Sequence, residues 1–285
     1  MFENPLLQSR YDELTARIRS FNNVVVAFSA GVDSTLLVKA SVDALGSENV
    51  IAATGLSDTY PDEEMQEARE LAEEIGVEHV LCKTEELTDP RYAQNSHQRC
   101  FFCKSELYSH LERVREQRGF DVIIDGTNAD DLGDHRPGLR AARNLGVLSP
   151  YEEIGMTKDE IRQISNALDL RTWDKPAFAC LSSRFPYGTP ITVEKLKQVA
   201  EAERVLRQLG FRGFRVRHHD AIARIEVSPE DFPRIIEHHD EIQAGIKDAG
   251  YRFVTLDLKG YTSGSLNDEL SIKLQETTAH SAKSA

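Results

Sequence analysis

Val24 to Phe28 is an unbroken apolar run, rich in β-branched residues, that halts at Ser29-Ala30-Gly31 and leads into a helix-forming stretch from Leu36 to Leu45, with Gly46 as its stop. Such a run suits a strand covered on both faces, and a strand of that kind belongs in a parallel sheet flanked by helices. The alternation then repeats. Val50 to Thr54 reads as a second strand, and Pro61 opens a helix with Met65, Ala68, Leu71, Ala72 and Ile75 inward. A short strand surrounds Val80 to Cys82, a helix is expected near Lys104 to Arg118, and Val122 to Ile124 is a fourth strand. Upstream, Leu7, Tyr11, Leu14, Ile18 and Phe21 form one helical stripe; downstream, Thr157-Lys158-Asp159-Glu160 is a capping-box sequence before Ile161, Ile164 and Leu168. Together these predict an α/β fold with a doubly wound, mainly parallel sheet, whose ligands bind where strands run out into loops.

Beyond Trp173 the texture changes to a Pro- and Gly-punctuated stretch, KPAFACLSSRFPYGTP. At about 150 residues per domain, 285 residues make about two. The expected division is a nucleotide-binding domain over 1–175, a linker loop over 176–190, a smaller α+β domain over 191–276 and a disordered tail over 277–285. In the second domain a helix carrying Leu196, Val199, Ala202, Leu206 and Leu209 precedes strand-like FRVRH and ARIEV, a helix near Pro233 and the strand YRFVTLDL. Alternation sets Phe214, Val216, Ile225 and Val227 against Arg215, Arg217, Arg224 and Glu226. The charged face reads either as a candidate anion site or as a half-exposed antiparallel sheet with salt-bridged polar residues.

With 34 basic and 47 acidic residues the net charge is -13, which argues against nucleic acid or an anionic membrane as the main partner. Four cysteines are too few for a secreted disulfide framework, and no apolar run after Met1 serves as a signal peptide or membrane span, so a cytoplasmic protein is expected.

Ser29-Ala30-Gly31-Val32-Asp33-Ser34-Thr35 sits where the first strand turns into the first crossover helix, where backbone N–H groups converge on an anion. It has neither the glycine spacing nor the lysine of a Walker loop, and no G-x-G-x-x-G fingerprint. A capped strand-to-helix turn is the plainer reading. Asp125-Gly126-Thr127-Asn128-Ala129-Asp130-Asp131 follows the fourth strand, where a second ATP or Mg-phosphate contact is expected, with an Asn/Asp-rich turn as the competing reading. Cys100-Phe101-Phe102-Cys103 has the separation for a shared metal or a reducible disulfide. With Cys180 the set suits either zinc, with His97 or His110 as a fourth ligand, or an iron-sulfur cluster with one open iron. Cys82, in an apolar strand, reads as core.

The phosphate loop resembles the S-G-G-x-D-S pyrophosphate loop of the ATP pyrophosphatase (PP-loop) superfamily, with Ala30 in place of its first glycine. KPAFACLSSRFPYGTPIT, TNADDLGDHRPGLRAA, GFRVRHHDAIARIEV and YTSGSLND extend the resemblance over nearly the whole chain to the LarE family, ATP-dependent sulfur transferases of nickel-pincer nucleotide (lactate racemase cofactor) biosynthesis. The resemblance implies an adenine nucleotide alpha hydrolase-like fold and adenylation of a carboxylate of pyridinium-3,5-biscarboxylate mononucleotide by ATP and Mg2+, followed by attack of sulfur to give a thiocarboxylate. By matching position, Ser29, Gly31, Val32, Asp33, Ser34, Thr35, Gly126 and Asp131 are expected to bind ATP. Cys180 is the sulfur-handling residue, and Lys104, Ser183 and Arg184 line the active site. Arg215 and Arg217 bind substrate phosphate, and Glu203, Glu226 and Asp231 are acidic, candidate metal positions. Family members with one such cysteine sacrifice its sulfur; Cys100, Cys103 and Cys180 imply the type that holds a [4Fe-4S] cluster. The resemblance also implies a homo-oligomer, a hexamer, and a sulfide-donor protein as partner. The competing readings are an amidating synthetase of the NAD or GMP type, a tRNA thiolase, and a zinc- or cluster-binding protein whose phosphate loop is vestigial.

Overall fold

The computed structural model describes residues 2, 4–133, 137–176 and 179–262, without the side chains of 132 and 133. The expected tail over 277–285, the end of the expected second domain after 262, and residues 134–136 and 177–178 of the quoted motifs lie outside the described residues. The described residues divide into two units, one running to 176 apart from Gln94–Ser96, the other made of Gln94–Ser96 and the residues from Ala179 to 262.

The first unit runs α1 (Pro5–Ile18), β1 (Val24–Ala27), α2 (Val32–Leu45), β2 (Val50–Leu56), α3 (Asp62–Ile75), β3 (Glu78–Lys83), α4 (Pro90–Ala93), α5 (Arg99–Arg118), β4 (Val122–Ile124), α6 (Pro137–Asn144), α7 (Pro150–Glu153) and α8 (Lys158–Ala167). The four strands form a parallel sheet in the order β3-β2-β1-β4. The apolar run of β1 has its explanation here. Val24 and Val26 pack with Leu36, Leu37, Ala68, Leu71 and Ile161 on one face, and Val25 packs with Ile51, Cys82, Tyr108, Leu111 and Ile123 on the other. Cys82 is therefore core, and burial pushes its thiol pKa up. From β1 the chain winds outward through β2 to β3, then returns to lay β4 on the other side of β1. The reversal makes the gap between the C-terminal ends of β1 and β4 the switch point of the sheet, where such folds bind ligands.

The second unit contains α9 (Val193–Gln208), β5 (Arg215–His219), β6 (Ile222–Glu226), α10 (Phe232–Glu237), α11 (His239–Asp248) and β7 (Phe253–Leu256). β5 and β6 are antiparallel, but β7 joins β6 in parallel, and α11 is a helix that the apolar pattern near Pro233 does not separate from α10. Phe214, Val216, Ile225 and Val227 are buried in its core with Leu206, Ile242 and Ile246, on the face that alternation assigns them. Asn95 belongs to this unit: it is fully buried in left-handed backbone, accepts from Gly188 N through its carbonyl and donates to the carbonyl of Pro186 at 2.8 Å.

Candidate functional site

The phosphate loop is tight because the ladder runs one residue past β1: Phe28 N donates to Ala53 O at 2.8 Å, leaving Ser29 to Gly31 to reverse the chain into α2. Ala30 takes φ of 56°, the left-handed region that the superfamily's glycine enters freely and alanine enters at a cost. Ser34 fastens the turn: its Oγ accepts from Ser29 N at 3.2 Å, lies 3.1 Å from Ser29 Oγ and donates to Gly31 O at 3.2 Å. α2 starts at Val32 with no side-chain cap, so its first N–H groups and its positive dipole end are left for an anion. Thr35 Oγ1, one position beyond Ser34, is buried without a hydrogen-bond partner among the described residues.

The loop after β4 closes against this turn. A Cβ on Gly126 would stand 3.0 Å from Asp33 Cβ and 3.3 Å from Ser34 N, so any larger residue would have to push the start of α2 away. Asn128 Nδ2 donates to Asp33 Oδ1 at 3.2 Å, and Asp131 Oδ2 accepts from Asn128 N at 3.1 Å. The other Asp33 oxygen is paired with Lys158, and Tyr151 Oη donates to the Asp33 carbonyl at 2.9 Å. Burial, then the Asp33 charge, raises the Tyr151 pKa well above its ordinary value, so this phenol remains a donor. Asp125 is held by Tyr108 Oη at 2.8 Å and Ser149 Oγ at 2.7 Å.

Sequence reasoning missed Lys158 and Tyr151, which come from the far end of the unit. One signal was available: Lys158 puts a cation in the first turn of α8, against the helix dipole, and Asp33 is the carboxylate that offsets it.

Cys100 and Cys103 lie about one turn apart at the start of α5, Cys100 exposed and Cys103 half-buried. The sequence places this helix from Lys104; it starts at Arg99, so the pair shares one helical face. Arg91, itself paired with Asp89, stacks on Phe102 at 4.6 Å, and Arg140 stacks on Phe101 at 4.5 Å. The Lys104 ammonium lies 5.5 Å over the Tyr108 ring, and a Cβ on Gly138 of α6 would stand 3.1 Å from Lys104 Cγ. Among the described residues no three His, Cys, Asp or Glu side chains gather as a metal site.

In the second unit, Cys180 precedes a single 3-10 turn, Leu181–Arg184. Arg184 is 1% exposed and makes a fork to Glu203, itself 2% exposed, through Nε at 2.7 Å and Nη2 at 2.9 Å. Its Nη1 donates to the carbonyls of Ala179 at 2.6 Å and Cys180 at 3.2 Å and to Ser183 Oγ at 2.9 Å. The guanidinium is thus spent on the backbone around Cys180. Glu203 Oε1 also accepts from Val216 N at 3.0 Å, fixing the turn to β5. Arg217 donates to Ser183 O at 2.8 Å and pairs with Glu226 Oε2 at 2.7 Å, while Glu226 Oε1 takes Arg224 at 3.0 Å. Arg215 lies 5.0 Å over the Tyr261 ring, its pKa lowered by burial and then by the Arg184 charge. The charged face of β5 and β6 is real but buried at Arg215 and Arg217, where the plain sheet reading had it half-exposed. Glu203 and Glu226 each face arginine, and Asp231 stands at the start of α10 without a capping bond.

The model of the NAD synthase family matches residues 7–112, the part that carries the phosphate loop and the cysteine pair. An uncharacterized protein of Synechocystis sp. is 44% identical over 92% of this chain and 98% of its own length. The pyridinium-3,5-bisthiocarboxylic acid mononucleotide synthase of Lactiplantibacillus plantarum is 37% identical, covering 93% of this chain and 96% of that protein. An uncharacterized protein of Methanocaldococcus jannaschii is 29% identical over 84% of this chain and 91% of its own length.

Proposed function

The chain belongs to the LarE family, that of the pyridinium-3,5-bisthiocarboxylic acid mononucleotide synthases, ATP-dependent enzymes of PP-loop type, and on that premise we propose that it converts a carboxylate of pyridinium-3,5-biscarboxylate mononucleotide to a thiocarboxylate for the nickel-pincer cofactor of lactate racemase. The observation that carries the reading is the pair of loops at the switch point: the loop after β1 and the loop after β4 meet at Asp33, with Gly126 against it. A carboxylate is a poor electrophile until it bears a good leaving group. Its oxygen attacks the α-phosphorus of ATP, the bond to the bridging oxygen breaks, and pyrophosphate leaves onto the first-turn amides of α2 and the Ser29 and Ser34 hydroxyls. Asp33 and Asp131 would hold Mg2+, which neutralises phosphate charge when bound.

Sulfur then attacks the acyl-adenylate carbon and AMP departs, a step for which a thiolate is well suited. Cys180 is the sulfur-handling residue, with Arg184 fixing the carbonyls of Ala179 and Cys180: if its own Sγ attacks, a thioester forms and loss of the Cα proton with cleavage of the Cβ–Sγ bond releases the thiocarboxylate and leaves dehydroalanine, whereas as a cluster ligand it would hold the group that supplies the sulfide and keep its own sulfur. Arg215 and Arg217 take the substrate phosphate: at Arg215 burial and then the Arg184 guanidinium oppose the charged form, which an anion relieves, and Arg217 follows it two residues along the same strand face. Ser183 and Lys104 complete the set, Ser183 Oγ being oriented by Arg184. Glu203 and Glu226 hold Arg184 and Arg217, and Asp231 is the acidic position left for a cation.

Cys100, Cys103 and Cys180 would hold a [4Fe-4S] cluster, a donor set of three thiolates that leaves one iron open and supplies transferable sulfide when present. A cytoplasmic homohexamer served by a sulfide-donor protein completes the proposal.

The test is anaerobic purification, iron and sulfide analysis, and mass-spectrometric counting of thiocarboxylate formed per chain. Iron with several products per chain is expected. Zinc without iron overturns the cluster, and one product per chain with Cys180 converted to dehydroalanine shows sacrificial transfer instead. Cys180→Ala should abolish thiocarboxylate while ATP-dependent pyrophosphate release continues; thiolation by that variant refutes the role of Cys180.

A further inference from the structure

Two side chains outside the phosphate loop take hold of two successive carbonyls within it. Tyr60 Oη, from the segment after β2, donates to Ser29 O at 2.7 Å. Lys175 Nζ donates to Ala30 O at 3.2 Å. In a planar trans peptide the C=O and the N–H of the same bond point in opposite directions. Holding Ser29 O on one side therefore aims Ala30 N–H to the other, and holding Ala30 O aims Gly31 N–H likewise. Consecutive amides fixed in this manner, one of them at a left-handed residue, form an anion-binding concavity.

Lys175 has no capacity to bind the phosphate itself. An ammonium has three N–H donors, and here they face Ala30 O at 3.2 Å, Glu64 at 2.7 Å and Glu67 at 2.6 Å. The two carboxylates also outweigh its charge. Its backbone is pinned as well, Lys175 N donating to Thr172 O at 3.0 Å and Lys175 O accepting from Arg162 at 2.9 Å. The side chain is 14% exposed, so the ammonium is a fixed post. Glu64 lies in the first turn of α3, where the dipole favours an acid, and serves as the anchor.

The geometry points to Lys175, with Tyr60 beside it, as a positioning residue that holds Ala30 in left-handed backbone and so preforms the pyrophosphate-binding amides. The superfamily's glycine reaches that conformation unaided; with alanine, an outside hold is required. The inference rests on the phosphate-loop reading above.

Its test is a cycle in the full chain: wild type, K175M, A30G and K175M/A30G, with ATP affinity measured by calorimetry and KM and kcat by pyrophosphate release, all below the lowest Tm of the set. K175M is expected to weaken ATP binding about tenfold, which is about 1.4 kcal/mol, and to raise KM for ATP more than it lowers kcat. A30G in the same chain is expected to restore most of that loss, because glycine occupies positive φ without help. Loss of affinity in K175M with no recovery in the double variant overturns the positioning role, as does unchanged affinity in K175M. If K175M does not fold, E64Q/E67Q loosens the same post and Y60F removes the second one; each should weaken ATP binding severalfold, and unchanged affinity in both overturns the inference. D33A separates the two claims. If D33A still releases pyrophosphate at the wild-type rate the phosphate-loop reading itself fails, whereas loss in D33A with no effect in K175M sinks only the role of Lys175.

Discussion

The Arg184–Glu203 pair allows a prediction whose magnitude follows from burial. Both groups are out of water, 1% and 2% exposed, and joined through two hydrogen bonds of 2.7 and 2.9 Å. Removing one partner of such a pair leaves an uncompensated buried charge, at a cost of about 3–5 kcal/mol, whereas replacing both by apolar residues of similar volume is often neutral or stabilising. Glu203→Ala should therefore destabilise the second unit by about 4 kcal/mol, a large part of the roughly 5–15 kcal/mol that holds an ordinary domain folded. Arg184→Met with Glu203→Leu should cost less than Glu203→Ala, because no charge is left buried and the remaining loss is that of the partners of Val216 N and of the Ala179 and Cys180 carbonyls. Urea unfolding read by a probe in this unit measures both, and an unchanged slope certifies that the folded state is comparable. The double variant still lacks the donor to Ala179 O and Cys180 O, so it should stay folded, release pyrophosphate, and make little thiocarboxylate. Equal destabilisation of single and double variants would refute the unpaired-charge account. A stable double variant with full thiolation would refute the clamp.

Gly126→Ala puts a methyl 3.0 Å from Asp33 Cβ and 3.3 Å from the Asp33 carbonyl carbon; a shift of the helix start costing about 1–3 kcal/mol and weaker ATP binding are expected, read by Tm and calorimetry. Lys158→Ala frees the Asp33 carboxylate of its ammonium, and pyrophosphate release should fall by more than the loss in stability explains; unchanged kinetics place Lys158 outside the site. His79 and His218 have folded pKa values below the ordinary 6.5, by burial and then by Arg69 and Lys195 respectively. Because the unfolded imidazoles protonate first, stability is full above pH 6.5 and declines as pH falls through it. His218→Phe should flatten that decline in the second unit, and an unaltered slope against pH rejects the assignment.

What was legible in the sequence follows from where the information lies. The β1 run is apolar at every position because helices cover both sheet faces, so its content could be read from Val24 to Phe28 alone. The capping box at Thr157 and Glu160 is equally local and is present with both hydrogen bonds. The site is legible only where one strand end supplies it. Asp33 was visible in its own loop, but the groups that hold it come from three other segments, Asn128 after β4, Tyr151 in α7 and Lys158 in α8. No periodicity connects those positions; the fold brings them together because β4 returns beside β1 and Leu148, just ahead of α7 and α8, pairs in parallel with Ile124 of β4.

The arginines show the same limit from the other side. Alternation correctly set Arg215, Arg217, Arg224 and Glu226 on one face, since that is a property of the strand, and cross-strand register pairs Arg215 with Glu226 and Arg217 with Arg224. It said nothing of what covers the face. The turn at Cys180 and α9 do so, Arg217 bonding Ser183 O and Glu203 of α9 reaching Val216 N. Arg184 is matched by Glu203, and Arg217 by Glu226, the latter shared with Arg224. Arg215 stacks on the Tyr261 ring and donates to a carbonyl at 2.6 Å, and its charged form is the one that burial opposes. Burial and the Arg184 charge both oppose that form, which an anion would relieve: Arg215→Met should raise KM for the mononucleotide more than Arg224→Met, whose guanidinium serves Glu226 and Asp257. Equal effects of the two substitutions would move the anion away from Arg215.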